Sequence, residues 1–356
     1  MKRIVHLITS LEGGGTENFL YQILAHSPAG YDHQVLYLKK DGVIGERLRR
    51  RQITVRPAGT LLRLFKTLRK ESPHLLHTCL YSAHQVGRCL GRLARVPTVI
   101  TSQRSIDIWQ KPWQRLLDRW TLPLCHAVIV NSNAAARVIE QRRNGRPRPA
   151  VFEIPNGVDN TLFKPIDRNT ARSRYGLSSD AMVGGSLMRL HGEKGADFIP
   201  EYASRLLAEF PKLHLLIGGV GPLEKSIKEQ IDKTTYSGRI HFVGWVDDAP
   251  EFLSACDFFW SLSREESFPQ TLVEASTMGL PWVAPETGGV PELLQAGAVG
   301  RVFQRLDIPG AARQVALLIN ELTSLKTEAN RAVPKIQANY SLSKMVARVY
   351  EVFERF

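Results

Sequence analysis

Cysteine is scarce in this chain, and the few cysteines do not cluster. The 356 residues contain only Cys79, Cys89, Cys125 and Cys256, which are widely separated. This spacing excludes a disulfide framework and a close pair of zinc ligands, and it is typical of a reducing cytosol. The chain also lacks a His, Cys and Asp cluster at metal-ligand spacing and has no Asp-x-Asp triplet. We therefore expect neither a metal nor a bound cofactor.

Long apolar runs are missing as well. No stretch approaches the roughly 20 apolar residues that a membrane-spanning helix needs. The N-terminus enters a strand pattern directly, without an apolar signal region or a cleavage site. A hydrophobic content of 43% still supports real cores, and 356 residues suffice for two domains. These features predict a globular, cytoplasmic protein.

Positive charge is concentrated in the first half. Residues 1–165 hold 26 Lys and Arg against 11 Asp and Glu, a net of +15, whereas residues 166–356 have a net of −2. Such a division suggests an anionic partner for the first half, either nucleic acid or an anionic membrane surface. No recognition-helix motif and no aromatic-bearing sheet signature occurs, so we expect no nucleic-acid partner. A peripheral position on the inner face of the cytoplasmic membrane is the expectation that remains.

Apolar strand patterns alternate with helical patterns from end to end. This alternation predicts an α/β protein with parallel sheets and crossover helices. The predicted strands are Arg3–Ile8, Gln34–Leu38, Ile53–Arg56, Leu75–His77, Thr98–Thr101, Ala127–Val130, Val151–Ile154, Met182–Leu187, Leu213–Ile217, Ile240–Val243, Phe258–Leu262 and Trp282–Ala284. Apolar residues at helical spacing predict a final helix; they are Leu342, Met345, Val346, Val349, Phe353 and Phe356.

The most informative segment runs from Arg264 to Ala275. A loop there links the apolar strand pattern to a helix that begins near Gln270, and a helix N-terminus is suited to binding an anion. Glu266 and Glu274, eight positions apart, cannot bind that anion but suit the hydroxyl groups of a sugar or ribose. The segment therefore indicates a site for a phosphorylated sugar compound. Taken on its own, the segment is better explained by two solvated glutamates at a helix end.

The loop Met188–Gly195 carries two cations, Arg189 and Lys194, five positions apart. Arginine offers a fork to phosphate oxygens and lysine a point charge, so both suit a diphosphate. A diphosphate leaving group needs such charge because negative charge grows on its oxygens as the bond breaks. A pair of solvated surface cations is the alternative, and His191 between them is interpreted as a bystander.

Three glycines, Gly13, Gly14 and Gly15, follow the first strand pattern. Glycine lets backbone amides approach a phosphate or sugar closely, although an ordinary tight turn fits as well. The spacing is neither a dinucleotide fingerprint nor a phosphate-binding P-loop.

The basic half also contains an amphipathic stretch in which Leu61, Leu64, Phe65 and Leu68 share one helical face among cations. Such a helix can lie on an anionic bilayer or serve as a crossover helix with a solvated outer face. The segment Pro112–Trp120 would add aromatic anchors to the same surface.

The segment Arg264–Ala275 and its continuation Gly279–Glu292 resemble the signature of family 4 glycosyltransferases of the bacterial surface-polysaccharide type. Those enzymes are retaining, use nucleotide sugars and have GT-B architecture. The residues that fit the signature are Glu266, Phe268, Pro269, Glu274, Gly279 and Pro281. The resemblance extends over nearly the whole chain.

The resemblance implies a fold of two Rossmann-like, doubly wound α/β domains that face a cleft. Residues 1–165 would form an acceptor-binding domain and residues 166–338 a nucleotide-sugar-binding domain. Residues 339–356 would form a helix that crosses back and packs on the N-terminal domain.

The resemblance also assigns roles to residues. Glu274 would hold the ribose hydroxyls, Glu266 the transferred sugar, and Arg189 with Lys194 the diphosphate. The implied donor-binding set is Gly14, Gly15, Arg189, Lys194, Gly221, Val246, Glu266, Ser267, Phe268, Pro269, Gln270, Thr271, Leu272 and Glu274. Within it, the amides of residues 270–272 would face the diphosphate and Val246 would lie at the element that pairs with the base.

Three positions carry open alternatives. Trp245 would lie beside the base or be an ordinary core aromatic. His77 would lie on the floor of the cleft as a catalytic residue, or be a buried structural histidine. Arg104 stands near the position where many family members have a histidine, and we expect it to serve the acceptor or a phosphate.

The implied activity is transfer of a hexosyl or N-acetylhexosaminyl group, with catalytic residues Glu266, Arg189, Lys194 and His77. The donor would be a UDP-sugar by family frequency, and the acceptor a hydroxyl of a lipid-linked or polysaccharide glycan. Two other functions fit less well. A nucleotide-sugar epimerase or hydrolase would form product without an acceptor, and a nucleic-acid-binding protein would use the basic half alone.

Overall fold

The computed structural model describes residues 1–106 and 109–356. They form two compact units, one of Met1–Gly157 with Leu342–Phe356 and one of Val158–Ser341. The first boundary lies eight residues before the one predicted at 165, and the second lies three residues after the one predicted at 338. The chain thus returns to the first unit for its last helix.

The first unit is a seven-stranded parallel sheet in the order β3-β2-β1-β4-β5-β6-β7. Its central strands β4 and β5 are buried on both faces, as an apolar run between helices predicts. The elements are β1 Lys2–Ser10, α1 Gly15–Ala25, β2 Tyr31–Lys40, α2 Val43–Arg50, β3 Thr54–Pro57, α3 Leu61–Glu71, β4 Leu75–Cys79, α4 Tyr81–Leu93, β5 Thr98–Gln103, α5 Pro112–Thr121, β6 Ala127–Val130, α6 Asn133–Arg143 and β7 Ala150–Glu153.

The second unit is a six-stranded parallel sheet in the order β10-β9-β8-β11-β12-β13. Counted within the unit, this is the strand order of a dinucleotide-binding Rossmann fold. The elements are α7 Arg168–Arg174, β8 Met182–Leu187, α8 Ile199–Glu209, β9 Leu213–Gly218, α9 Glu224–Ile231, β10 Ile240–Gly244, α10 Ala249–Ser254, β11 Phe258–Trp260, α11 Gln270–Thr277, β12 Trp282–Pro285, α12 Val290–Gln295, β13 Gly300–Phe303, α13 Ile308–Asn320 and α14 Leu322–Asn339.

The final helix, α15 Leu342–Arg355, packs on the first unit. Its apolar stripe joins the core that β1, β4 and α1 form, and Val349 and Phe353 have no exposed surface there. The predicted fold class of two Rossmann-like domains with a returning C-terminal helix is confirmed.

The strand ends differ from the predicted ones by up to three residues, and two differences bear on the fold and the site. The edge strand β13 was not predicted, because Gly300-Arg301-Val302-Phe303 is short and contains a glycine and a charge. The strand β11 ends at Trp260 instead of Leu262, which leaves residues 261–269 as a long turn in front of α11. No helix in the described ranges is both long enough and apolar enough to cross a bilayer.

Candidate active site

The turns that carry the predicted donor-binding residues follow β8, β9 and β10 at one edge of the second sheet. Backbone hydrogen bonds join these turns: Met188 N donates to Gly218 O at 3.0 Å, and Gly219 N donates to Gly244 O at 2.6 Å. A further bond from Leu190 N to Val220 O is 3.0 Å long. The carboxyl edge of an open parallel sheet is the usual place for a ligand.

Gly219 allows the first two turns to meet. Its φ is +123°, and a Cβ there would lie 1.8 Å from the Met188 carbonyl oxygen. At Gly221, a Cβ would lie 2.4 Å from the Leu190 oxygen. The turn that contains Gly219 and Gly221 therefore packs against the backbone on either side of Arg189.

Lys194 forms an ion pair with Glu266. Its Nζ donates to Oε2 at 2.7 Å, and both side chains are mostly buried. Arg189, by contrast, is 67% exposed and only touches Glu193 at 3.5 Å. His191 accepts from the Glu193 amide at 3.4 Å, which is a local turn contact and fits its interpretation as a bystander.

An unpredicted arginine, Arg264, fixes the loop that carries Lys194. Its guanidinium donates to both carboxylate oxygens of Asp197 at 2.6 Å, and its amide donates to Glu193 O at 3.0 Å. This clamp joins the turn after β8 to the turn after β11. Its position two residues before Glu266 was the only signal in the sequence.

The backbone of Glu266 is in close contact with Gly288. A Cβ on Gly288, whose φ is +52°, would lie 1.4 Å from the Glu266 carbonyl oxygen. Beside this contact is a cavity of about 10 Å³ whose lining includes Ser261, Glu266, Thr271 and Thr287. Its volume suits one water-sized polar group.

Thr287 contributes a buried hydroxyl that makes no hydrogen bond within the described part of the chain. Buried polar groups normally have a partner, so an unpaired hydroxyl in this cavity indicates a polar ligand or water. The sequence offered no signal for Thr287 beyond its place in the segment Gly279–Glu292.

The N-terminus of α11 carries no side-chain cap, because Pro269 stands at the capping position. The Gln270 amide donates to Phe268 O at 2.9 Å and the Leu272 amide to Pro269 O at 3.0 Å. Of the three amides predicted to face a diphosphate, only that of Thr271 lacks such an acceptor among residues 1–106 and 109–356. Of the predicted amides, that of Thr271 therefore remains available to a diphosphate, because the amides of Gln270 and Leu272 already donate within the turn.

Glu274 lies one turn into α11 and is half-buried. Gln270 donates from Nε2 to its Oε1 at 2.9 Å. Burial raises the pKa of Glu274 to about 7, and the hydrogen bond from Gln270 opposes this shift. The carboxyl thus changes charge near neutral pH.

Trp245 is 70% exposed, so its interpretation as a core aromatic is wrong. Its indole Nε1 donates to Asp247 at 2.8 Å. The next residue, Val246, packs against the core of the second unit. Both residues directly follow β10, at the same edge as the glycine turn.

In the first unit, Gly14 and Gly15 lie between β1 and α1. Gly15 begins the helix, and a Cβ on it would meet no atom within 4 Å. A Cβ on Gly14 would lie 2.8 Å from an oxygen of Glu17. The turn is open on the side of Gly15, and its role toward a donor stays a prediction.

His77 requires a correction. Its side chain has no exposed surface and lies in β4, where Nδ1 contacts His6 Nδ1 at 2.9 Å and Nε2 contacts Ser102 at 2.7 Å. Burial lowers the pKa of His77 to about 3. A histidine with both ring nitrogens bonded inside the core cannot reach a substrate, so the structural alternative holds and we assign His77 no catalytic role.

Arg104 also serves the first unit internally. Its guanidinium covers the Phe19 ring at 3.8 Å, donates to Ile154 O at 3.1 Å and bonds the side chain of Asn156. These contacts tie the end of β5 to the segment after β7. The guanidinium Nε has no hydrogen-bond partner within the described residues, and a role toward the acceptor or a phosphate stays a prediction.

The described residues contain no group of three or more His, Cys, Asp and Glu side chains that could hold a metal ion. Charge at the edge of the second sheet comes instead from Arg189 and Lys194. The geometry thus combines cations, one uncapped helix N-terminus and two carboxyl groups, which can contact a phosphate on one side and hydroxyl groups on the other.

Comparison with known proteins identifies two families along the chain. Residues 13–162 match the model of "Glycosyltransferase Family 4", and residues 167–334 match that of "Glycosyl transferases group 1". Among curated proteins, the lipopolysaccharide core biosynthesis mannosyltransferase LpsB of Rhizobium meliloti is 26% identical over 277 residues, covering 73% of each chain. The UDP-Gal:alpha-D-GlcNAc-diphosphoundecaprenol alpha-1,3-galactosyltransferase of Escherichia coli is 24% identical over 309 residues, covering 83% of this chain and 78% of that protein.

Among solved structures, Anabaena HepE in complex with UDP superposes with a TM-score of 0.87 at 22% identity, covering 99% of this chain and 100% of that one. HepE in complex with UDP-glucose gives a TM-score of 0.85 at the same identity. At this identity the likeness shows the fold. Together with the two family matches, it shows that this chain is a GT-B glycosyltransferase and belongs to family 4.

Proposed function

We propose that the protein transfers a sugar from a UDP-sugar to a hydroxyl of a lipid-linked or polysaccharide acceptor. The observation that carries this proposal is the Lys194–Glu266 ion pair beside the uncapped N-terminus of α11, with Glu274 one turn further on. The HepE structures with UDP and UDP-glucose support the choice of uridine. In this function Lys194 and the Thr271 amide contact the diphosphate, and Arg189 closes over it.

The hydroxyl-binding side of the site is acidic. Glu274 accepts hydrogen bonds from the ribose, and Glu266 accepts from the transferred sugar. The unpaired Thr287 hydroxyl beside Glu266 offers one more polar contact to that sugar. A carboxylate that accepts from a hydroxyl forms a charge-assisted hydrogen bond, which is worth about 1.5–3 kcal/mol.

We propose retention of anomeric configuration and independence from metal ions. Lys194 and Arg189 bring positive charge to the oxygens on which negative charge grows as the glycosidic bond breaks. The leaving diphosphate then accepts the proton of the acceptor hydroxyl on the same face of the sugar. Proton magnetic resonance of the first product formed tests retention, and turnover in excess chelator tests independence from metals.

The proposal for the acceptor is based on the positive charge of the first unit and on one relative. The E. coli enzyme named above acts on a diphosphoundecaprenol-linked sugar, according to its name. We propose an acceptor of the same general class, bound through the basic first unit. Product formation only when acceptor is present separates this function from an epimerase or hydrolase.

Calorimetry with UDP-, GDP-, ADP- and TDP-sugars tests the donor site directly. We expect one UDP-sugar to bind the wild type and the Glu274→Ala variant to bind it at least about tenfold more weakly, about 1.4 kcal/mol. Glu229→Ala, an exposed glutamate on α9, is the matched control and should bind like wild type. Failure of every nucleotide sugar to bind, or equal binding by Glu274→Ala, would overturn the proposal.

A further inference from the structure

Arg264 contacts the turn that carries Lys194 on both sides of the lysine. Its backbone amide donates to Glu193 O at 3.0 Å, one residue before Lys194. Its guanidinium donates to both carboxylate oxygens of Asp197 at 2.6 Å, three residues after Lys194. One arginine therefore holds the chain before and after the lysine.

Both terminal nitrogens of the Arg264 guanidinium donate within this turn. Besides its bond to Asp197, Nη1 donates to Gly192 O. The central carbon Cζ lies 4.2 Å from the centre of the Phe198 ring, a cation–π contact. A bidentate bond between a guanidinium and a carboxylate fixes direction as well as distance. The guanidinium thus acts on the turn, and the contacts assign it no ligand.

The turn packs closely against the segment that follows β11. Gly195 comes directly after Lys194 with a φ of +67°, and a Cβ on it would lie 2.0 Å from Leu262 O. The amides of Lys194 and Gly195 donate to carbonyls of the turn at 3.0 Å and 2.9 Å. The backbone at Lys194 therefore has a defined place, which Arg264 fixes relative to the segment after β11.

The partner of Lys194 is attached to the same anchor. Glu266, whose Oε2 accepts from Lys194 Nζ at 2.7 Å, stands two residues after Arg264. A lysine is a point charge on a flexible stem, so its place depends on how well its backbone is held. Arg264 therefore sets the distance between the cation proposed for the diphosphate and the carboxylate proposed for the sugar.

Magnitudes separate this positioning from a contribution to stability. The side chains of Arg264 and Asp197 are 30% and 41% exposed, and an ion pair accessible to water adds little to folding stability. A catalytic group that moves by about 1 Å, in contrast, loses about a hundredfold in rate. The main effect of the pair is therefore expected on turnover and not on unfolding.

We propose that Arg264 is a positioning residue for the transfer reaction. Its bidentate clamp on Asp197 holds Lys194 where negative charge develops on the leaving diphosphate. The inference rests on the proposed function for the identity of that diphosphate. The clamp itself can be measured without any donor.

Hydrogen–deuterium exchange measures the clamp directly. In Arg264→Ala and Asp197→Ala, the amides of the Lys194 turn should exchange at least about threefold faster than in wild type, because the turn opens more often. The melting temperature should fall by at most about 4 °C. The matched control is Arg205→Ala, which breaks a similarly exposed ion pair with Glu201 on α8 and should leave exchange of the turn unchanged.

Steady-state kinetics with a UDP-sugar and acceptor measures the effect on the reaction. Arg264→Ala and Asp197→Ala should each lower kcat by about tenfold to a hundredfold. The KM for the UDP-sugar should change less, because charge on the diphosphate oxygens grows only as the bond breaks. Arg264→Lys should retain most of the loss, because an ammonium group cannot reproduce the fork. Arg205→Ala should keep wild-type kinetics.

A double variant shows whether Arg264 acts through Lys194. In a Lys194→Ala background, Arg264→Ala should lower kcat by no more than about a further threefold, because the group that it positions is already absent. A larger additional loss would show that Arg264 acts independently of Lys194. Full turnover of Asp197→Ala beside a slow Arg264→Ala would show that the guanidinium contacts the ligand itself.

The remaining outcomes also decide the proposal. Exchange of the turn at the wild-type rate in both clamp variants, or full kcat in both, would overturn the positioning role. A wild type that is inactive with every UDP-sugar would overturn the proposed function, and the positioning role with it. An active wild type with fully active clamp variants would overturn the positioning role alone, so the two failures are distinguishable.

Discussion

The two units of the protein place their polar side chains differently, although both are parallel sheets of similar topology. In the second unit, the groups at the strand ends remain at least partly accessible, as at Lys194, Glu266 and Glu274. In the first unit, His77 and Asp118 are buried and bonded to other buried groups. Buried ion pairs such as Arg172–Asp257 hold the second unit together as well, but its strand-end groups at the candidate site remain available to a ligand.

This comparison predicts a separation of effects. Removing a buried polar group of the first unit should lower stability and leave donor binding unchanged. Removing a strand-end group of the second unit should change donor binding or turnover and leave stability nearly unchanged. A first-unit variant that changes donor binding, or a strand-end variant of the second unit that mainly lowers stability, would contradict the comparison.

The largest effect is expected for Asp118→Ala. Loss of this carboxylate leaves Arg88 as an uncompensated charge with no exposed surface, which should lower the free energy of unfolding by about 3–5 kcal/mol. Denaturant unfolding measures it. Asp32→Ala, which removes a half-exposed partner of Arg3, is the control and should cost at most about 1 kcal/mol. Equal losses in both variants would show that burial of the pair is unimportant.

Lys194→Ala should have the next largest effect, on turnover. Removing one group that stabilises developing charge typically lowers kcat by about 10²–10³-fold, about 2.7–4 kcal/mol. Steady-state kinetics with a UDP-sugar and acceptor measure this, and thermal melting should change little. Lys225→Ala, an exposed lysine on α9, should keep wild-type kinetics. Turnover of Lys194→Ala within threefold of wild type, about 0.7 kcal/mol, would remove Lys194 from the site.

The helices α5 and α15 show how far a sequence pattern can lead. Both have apolar residues at helical spacing; the sequence pattern predicts a helix for α15, and for Pro112–Trp120 it predicts exposed aromatic anchors. In α15 the stripe packs on the first sheet, whereas in α5 it faces outward because Asp118 meets two arginines. Spacing predicts that an apolar face exists, and long-range polar partners decide where it points.

The same reasoning applies to the site. The residues of the Arg264–Ala275 segment and of the Met188–Gly195 loop were predictable because each follows a strand at the same sheet edge. The clamp of Arg264 on Asp197 and the cavity at Thr287 depend on side chains distant in sequence, so local pattern could not show them. His77 is buried in a central strand, between β1 and β5, and Phe353 of α15 packs against its ring from the far end of the chain.

Acid should weaken the first unit through a chain of histidines. His77 bonds His6, and His6 Nε2 contacts His33 Nδ1 at 3.0 Å, where Tyr350 of α15 also binds. Burial lowers the pKa of His33 to about 4 and that of His77 to about 3. Because the buried histidines stay neutral while those of the unfolded chain become protonated, the folded state has its full stability above about pH 6.5. The free energy of unfolding decreases as the pH falls from there toward 4.

The expected slope is about 1.4 kcal/mol per pH unit for each histidine below pH 6.5. Melting curves between pH 7 and 5 measure the summed slope of all the buried histidines. The His33→Gln variant should have a slope that is smaller by the contribution of one histidine. His26→Gln, an exposed position, should leave the slope unchanged. Equal slopes in wild type, His33→Gln and His26→Gln would show that His33 does not contribute to the loss of stability in acid.

The smallest effect concerns the charge of Glu274 in the second unit. Burial raises its pKa to about 7, so its ionised form, which accepts hydrogen bonds from the ribose in the proposed function, declines as pH falls through 7. Calorimetry should show UDP affinity weakening toward pH 6, by no more than about tenfold per pH unit because one proton is involved. Glu274→Gln should bind more weakly at pH 8 and show no such pH dependence. If the variant kept the wild-type pH profile, the titrating group would lie elsewhere, and Glu274 would not be the carboxyl that contacts the nucleotide.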